Sequence, residues 1–380
     1  MSYASAQSDD RIAAFQSACW DFPASAGARE LHPYPARFIP EIPRQALDLL
    51  AVDGPVIDPF CGSGTTLAEA QRRGHSATGI DLNPIACLIS RVRTQQWRRG
   101  DGERGLRHAR MIREYALASA ETTELAEQIP RVDHWFAPPA QEALAGAVQY
   151  LSEVESDWYD RVAIAISASI VRLSRQESDT RYAAIEKPVT RDQAAIELSQ
   201  AVVRTCDWLS HRPNPQTTAT VDVLCRDARD FSELPREHFA AAVFSPPYPN
   251  AYEYWLYHKY RMYWLGFDPI SVRTSELGAR PHYCKPNGLN ETDFARQMAD
   301  VFAGLAGCLT PQAAVVVVIG DSVIGGRRVD NGRLLVDVAI ENGYTLDVWA
   351  NRSIRRGRSS FNRAHSRGRE NEHVLLLRRG

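Results

Sequence analysis

Apolar positions divide this chain into three textures. Up to about Asn83 a short helix is followed by the apolar run Val56-Ile57, closed by Asp58, and then a glycine-rich turn. Helical spacing runs from Thr65 to Arg73, Gly74 stops it, and Ser76 to Ile80 reads as a second strand. Strand, helix and strand at this length form a βαβ unit, which predicts a parallel sheet. From about Ala86 to Pro213 the texture turns helical. Leu106–Gln128, Ala140–Val154, Trp158–Leu173 and Asp192–Leu209 carry apolar residues at helical spacing, with prolines 138, 139, 188 and 213 as punctuation. Strand texture resumes at Thr220–Leu224 and Ala241–Phe244. A helix over Glu291–Leu309 leads into the most apolar strand, Ala313–Ile319. Tyr344–Ala350 and His373–Leu377 read as two last strands joined by a long arginine-rich loop.

The boundaries that follow are 1–85 for the first part of an α/β domain, 86–213 for a helical insertion, and 214–380 for the rest. At 380 residues the chain can hold one large domain or two modest ones, and its 44% hydrophobic content suffices for a core. The formal net charge of -2 gives the whole molecule no pull toward nucleic acid, so any attraction must come from a local patch. The seven cysteines are scattered singly with no CxxC pair. That argues against a disulfide framework and a zinc site, and no metal is expected. With no signal-peptide pattern at Met1–Asp10 and no run of about 18 apolar residues, a soluble cytoplasmic protein is expected.

The chemistry gathers at strand ends. Asp58-Pro59-Phe60-Cys61-Gly62-Ser63-Gly64-Thr65-Thr66 lies where the first strand passes into its helix. Glycines there let the backbone approach a ligand lying over the sheet edge. No Gly-Lys-Ser/Thr follows, which excludes a P-loop, and a third glycine of a dinucleotide fingerprint is missing. An acid before the turn suits a zwitterionic or cationic ligand better than a pyrophosphate. The second strand ends in Gly79-Ile80-Asp81-Leu82-Asn83-Pro84, where an acid can hold a ribose diol or simply cap a helix. The third runs into Cys225-Arg226-Asp227-Ala228, and an Asp there can accept a proton from an adenine amino group.

Ser245-Pro246-Pro247-Tyr248 follows the fourth strand. Its two prolines make a stiff turn that presents acceptors only, the Ser245 side chain and the Pro246 carbonyl. Acceptors fixed on both protons of an exocyclic amine draw it toward tetrahedral geometry and free its lone pair for in-line attack on a methyl group. Tyr248 would stack on an extruded base. Of the aromatic stretch downstream (Tyr252, Tyr254, Trp255, Tyr257, Tyr260, Tyr263, Trp264), most are expected in the core, with Tyr252 facing the cleft. His134-Trp135-Phe136 and Arg172–Arg181 are further segments that could face a substrate.

DPFCGSGTT resembles motif I of S-adenosylmethionine-dependent DNA amino-methyltransferases, and His32-Pro33-Tyr34-Pro35-Ala36-Arg37-Phe38 resembles their motif X. Gly79-Ile80-Asp81 is similar to motif II, Asp227 to motif III, and Ser-Pro-Pro-Tyr to motif IV of the cytosine-N4 branch. The adenine-N6 branch more often has Asp or Asn in place of the Ser. The resemblance covers Leu31–Pro84 and Val221 to the end, and leaves the helical insertion unmatched. It implies a Rossmann-like class I methyltransferase sheet of about seven strands with a helical subdomain. It also implies S-adenosyl-L-methionine as cofactor, held by Pro35, Arg37, Phe38, Asp58, Phe60, Gly62, Gly64, Thr65, Thr66, Asp81, Asn83, Asp227 and Ala228. Catalysis would fall to Ser245, Pro246, Pro247 and Tyr248. The partner implied is double-stranded DNA methylated at cytosine N4, with a cognate restriction enzyme possible. Adenine-N6 methylation, RNA guanine-N2 methylation and an idle fold serving as a nucleic-acid binding module are the alternatives. No Pro-Cys nucleophile motif is present, which speaks against cytosine-C5 chemistry. Motifs X and I precede motif IV here, so no target sequence is carried over.

Seven arginines and no acid stand between Asn351 and Arg369, separated by Ser, Asn, Gly and His. Phosphate contact is expected from Arg352, Arg355, Arg356, Arg358 and Arg363, beside Tyr252.

Overall fold

The computed structural model describes residues 3–22, 30–118, 124–179, 181–214, 218–285, 287–353 and 371–380. Its main sheet has seven strands: β1 Val56–Asp58, β2 Ala77–Asp81, β3 Val221–Cys225, β4 Phe239–Phe244, β5 Leu309–Gly320, β6 Tyr344–Ser353 and β7 Asn371–Arg379. The spatial order is β3-β2-β1-β4-β5-β7-β6. The first five run parallel, whereas β7 lies antiparallel between β5 and β6. Helices cover both faces, so the fold is a Rossmann-like α/β sheet with a reversed strand inserted near one edge.

Period-two alternation sorts side chains to the two faces. Val315, Val317, Ile319, Leu375 and Leu377 point to one side, into a core with the helices Glu291–Cys308 and Asn331–Glu341. Val316, Val318, Val374 and Leu376 point to the other, against the helices Glu41–Leu50 and Thr65–Arg72 and against Phe15 and Trp20. β4 (Phe-Ala-Ala-Ala-Val-Phe) is apolar throughout, as befits a central parallel strand covered on both sides. The helix Glu291–Cys308 begins with a capping box in which Asn290 and Asp293 each bond the other's backbone N–H.

Between β2 and β3 stand the helices Asp101–Ala118, Pro138–Leu151, Ser156–Leu173 and Arg191–Ser210, with a small hairpin, Gln176–Ser178 and Arg181–Ala184, that periodicity does not reveal. Pro138 and Pro139 open a helix instead of separating two, because the first helical turn needs no N–H. The expected boundary at Ala86 falls inside the helix Pro84–Thr94, which is the crossover helix after β2. Its Ile85, Leu88, Ile89 and Val92 share a core with the insertion helices and with Trp255, Tyr260 and Trp264 of the helix Tyr254–Trp264. Trp135 and Phe136 belong to that core, packed against Tyr260 and Trp264, whereas His134 is exposed. Among the described residues no helix is long and apolar enough to cross a membrane.

Candidate active site at the carboxyl edge of the sheet

Parallel pairing brings Asp58, Asp81 and Cys225 to one edge: Asp58 is in register with Gly79, and Asp81 with Cys225. The turn after β1 is pinned there from three sides. Cys61 N–H donates to the Ile80 carbonyl (2.9 Å), and Gly64 N–H donates to the Cys61 carbonyl (2.7 Å). The Ser90 hydroxyl, from the helix Pro84–Thr94, donates to the Gly62 carbonyl (2.8 Å). Gly64 sits at φ +75°, where a Cβ would lie 2.9 Å from the Ser90 Cα. Both the backbone conformation and the close approach of a helix therefore demand glycine. A Cβ on Gly62 (φ +50°) would meet the Tyr34 hydroxyl at 3.2 Å.

Asp81 ties the two strand ends together. One carboxylate oxygen accepts the Gly62 N–H (2.9 Å) and the other the Asn83 N–H (2.8 Å). Burial pushes its pKa up to about 6, although these two amides oppose the shift. Asp58 is more deeply enclosed. Burial raises it to about 7, with the Asp81 charge adding to the rise and the Phe60 N–H (2.9 Å) opposing it. Buried Asp58 and half-buried Asp81, which pair with no cationic side chain among the described residues, suit a ligand that brings positive charge. Asn83 caps the helix Pro84–Thr94 through its Oδ1, which accepts the Ile85 N–H (3.0 Å), and its buried Nδ2 is left without an acceptor. Asp227 is differently placed: Arg229 grips both its oxygens (2.8 and 2.6 Å). Burial pushes Asp227 upward, but Arg229 prevails and holds it below the usual carboxylate range.

The motif X segment lies over this turn. Tyr34 stacks on Tyr254 (5.8 Å between ring centroids) and on His258 (5.5 Å). Burial, reinforced by the Asp81 charge, raises its hydroxyl well above the ordinary range. Pro35 is buried, Phe38 packs at the edge of the core around Leu47, and exposed Arg37 is paired with Glu30. Of these residues Tyr34 is the one in contact with the glycine turn, a role legible only in its membership of the motif.

From the end of β4, Ser245-Pro246-Pro247-Tyr248 reaches the same edge. The loop is held from outside: Asn250 N–H donates to the Gly278 carbonyl (3.0 Å), and Asn250 Nδ2 to the Val323 carbonyl (2.6 Å). Glu276 sits beneath it, accepting the N–H groups of Tyr254 and Trp255 (2.8 Å each), and burial raises it to about 8. The Tyr248 hydroxyl donates to Glu372 (2.9 Å), whose second oxygen accepts from Arg352 (2.8 Å). Arg352 is thus a buried residue of β6 that braces Tyr248 through Glu372, not an open phosphate contact as expected. Strand β6 extends three residues beyond the expected Ala350, carrying Arg352 into the sheet. Arg355, Arg356, Arg358 and Arg363 lie outside the described residues. Tyr252 is half-buried and tilted against Tyr254 (5.7 Å). Trp255, Tyr260, Tyr263 and Trp264 are in the core. Glu276 and Glu372 carried no local signal, since each acts across more than 20 residues of sequence.

The chain is 41% identical over 68 residues to the Type II methyltransferase M.MjaII of Methanocaldococcus jannaschii, a match covering 18% of this chain and 13% of that protein. It is 31% identical over 113 residues to the Type II methyltransferase M.MvaI of Kocuria varians, covering 28% and 25%. The matches thus span a quarter or less of these relatives' length. A DNA modification methylase of Thermus thermophilus, solved with S-adenosyl-L-methionine, aligns with 40% of this chain and 50% of its own at 15% identity and a TM-score of 0.24. No family model matches the chain.

Proposed function

We propose that this chain transfers a methyl group from S-adenosyl-L-methionine to the exocyclic N4 amine of cytosine in DNA. The observation that carries the reading is convergence. A glycine turn flanked by two acids and a Ser-Pro-Pro-Tyr turn reach the same sheet edge from β1, β2 and β4. The local similarity to two Type II methyltransferases supports it.

The residues present fit the cofactor. Asp58 and Asp81, paired with no cationic side chain among the described residues, complement a cation, and the orphaned Asn83 Nδ2 is a donor in want of an acceptor. Asp81, already bonded to Gly62 and Asn83, keeps lone pairs for ribose hydroxyls. S-adenosyl-L-methionine supplies an electrophilic methyl group. The chain's part is to hold the amine: Ser245 Oγ and the Pro246 carbonyl accept hydrogen bonds from its two N–H groups and aim its lone pair, and the methylated amine then loses one proton to water. Tyr248, anchored at its hydroxyl by Glu372, offers its ring to the extruded base. Its anchoring fixes the ring before the base arrives, which lowers the ordering cost of capture.

Ser in the first position of the motif favours cytosine N4 over adenine N6. Tritiated methyl incorporation into DNA and RNA, followed by nucleoside mass spectrometry, tests the reading. N4-methylcytosine from DNA is expected. N6-methyladenine, label in RNA alone, or no label would each overturn it.

A further inference from the structure

Far from the Ser-Pro-Pro-Tyr turn, arginines gather where carboxylates are scarce. Crossover helices leave the carboxyl edge of a parallel sheet and finish at the opposite edge. Arg72 stands in the last turn of the helix Thr65–Arg72, and Arg93 in the last turn of Pro84–Thr94. Gln71 Nε2 donates to the Thr94 carbonyl (3.1 Å), which binds these two helix ends together. Arg212 follows the helix Arg191–Ser210 of the insertion. Trp208 on that helix receives both guanidinium groups, Arg93 at 5.8 Å and Arg212 at 5.6 Å from the ring centroid.

What sets this cluster apart is its lack of acceptors. All three guanidinium nitrogens of Arg212 are buried without a hydrogen-bond partner among the described residues, and so is Nε of Arg93. The nearby acids are committed elsewhere: Glu30 pairs with Arg37, while Glu69 is shared by Arg44, Arg72 and Arg73. Burial pulls Arg93 down to about 9, with Arg37, Arg212 and Arg72 all adding to the fall. Arg212 falls to about 10, chiefly from burial. Buried guanidinium groups normally end in ion pairs, because a lone buried charge is costly. An oxyanion that accepts from planar forks resolves that cost, and phosphate has the matching geometry.

We infer that Arg93 and Arg212, flanked by Arg37 and Arg72 and floored by Trp208, form a phosphate-binding site at the edge of the sheet opposite the proposed methyl-transfer site. Its occupant is a backbone phosphate of bound nucleic acid. The assignment to nucleic acid rests on the reading of the preceding subsection. The phosphate chemistry does not.

The test compares full-length wild-type chain with Arg93→Gln, Arg212→Gln and Arg212→Met. The Met variant removes a buried unpaired charge, so in phosphate-free buffer it is expected to be at least as heat-stable as wild type. Inorganic phosphate at constant ionic strength should raise the melting temperature of wild type more than that of any variant. Fluorescence anisotropy with a labelled DNA duplex should show a salt slope shallower by about one unit for each lost contact. Equal phosphate stabilisation and equal slopes in folded variants would overturn the site. A lost phosphate shift with an unchanged DNA slope would overturn the backbone as its occupant. Methyl transfer to DNA by the same samples separates the two readings: if wild type transfers none while the phosphate shift persists, the proposed function and the nucleic-acid occupant that rests on it fail, and the phosphate site stands.

Discussion

Replacing Asp81 by Ala removes one carboxylate that serves two strands at once. In the wild type its oxygens accept the Gly62 and Asn83 N–H groups at 2.9 and 2.8 Å. Each amide left unpaired costs about 1–3 kcal/mol, so the variant should be less stable by about 1–3 kcal/mol if water reaches one of them. Cofactor affinity should fall by a further 1–3 kcal/mol, about 5- to 150-fold, for the charged hydrogen bond to the ribose. Asp81→Asn sharpens the test, since it keeps one acceptor and loses the charge. Burial holds the folded carboxyl at about 6, above its ordinary value of 3.8. Between these values the folded state binds more protons than the unfolded one, so this group's contribution to stability declines as pH rises from about 4 to 6 and is constant above. Binding of a cationic ligand runs the other way, strengthening as Asp81 ionises. Calorimetric titration of S-adenosyl-L-methionine from pH 5 to 8 should therefore show wild-type affinity rising through about pH 6. Asp58, raised to about 7, should extend the rise by a further unit, and Asp81→Asn should flatten its lower half. Unchanged affinity at pH 7.5 in a folded Asp81→Ala protein would refute the assignment of Asp81 to the cofactor.

Ser245→Ala should keep cofactor affinity within about twofold while slowing single-turnover methyl transfer by at least tenfold, because its acceptor acts chiefly in the transition state; equal rates would remove Ser245 from catalysis. Tyr248→Phe keeps the ring and loses the bond to Glu372, so it should retain more activity than Tyr248→Ala, and the reverse order would deny the ring its place against the base. Gly64→Ala forces a Cβ to 2.9 Å from the Ser90 Cα at φ +75°, and chemical denaturation should show a loss of about 2 kcal/mol or more; a neutral result would mean that the turn can move away from its helix.

The turns that carry the chemistry are legible in the sequence because each is contiguous. Asp58 to Thr66, Gly79 to Asn83 and Ser245 to Tyr248 each hold their turn, acid or acceptor within about ten residues. Strand periodicity alone then places them at one edge of a parallel sheet, because parallel strands joined by crossover helices end on the same side. The longer insertion helices were legible from their 3.6-residue spacing, although the one read from Leu106 begins at Asp101 and the boundary at Ala86 falls inside a helix. The fold decided what depends on register between distant segments. Glu372 meets Tyr248 across 124 residues only because β7 is reversed and slots beside β5, and the same insertion turns Arg352 from a loop cation into a buried brace. Tyr34 reaches Gly62, and Arg93 shares Trp208 with Arg212, by packing of elements that carry no mark of one another. A side chain's partner at long range is set by which faces are left to bury, and a linear pattern records the face but not what covers it.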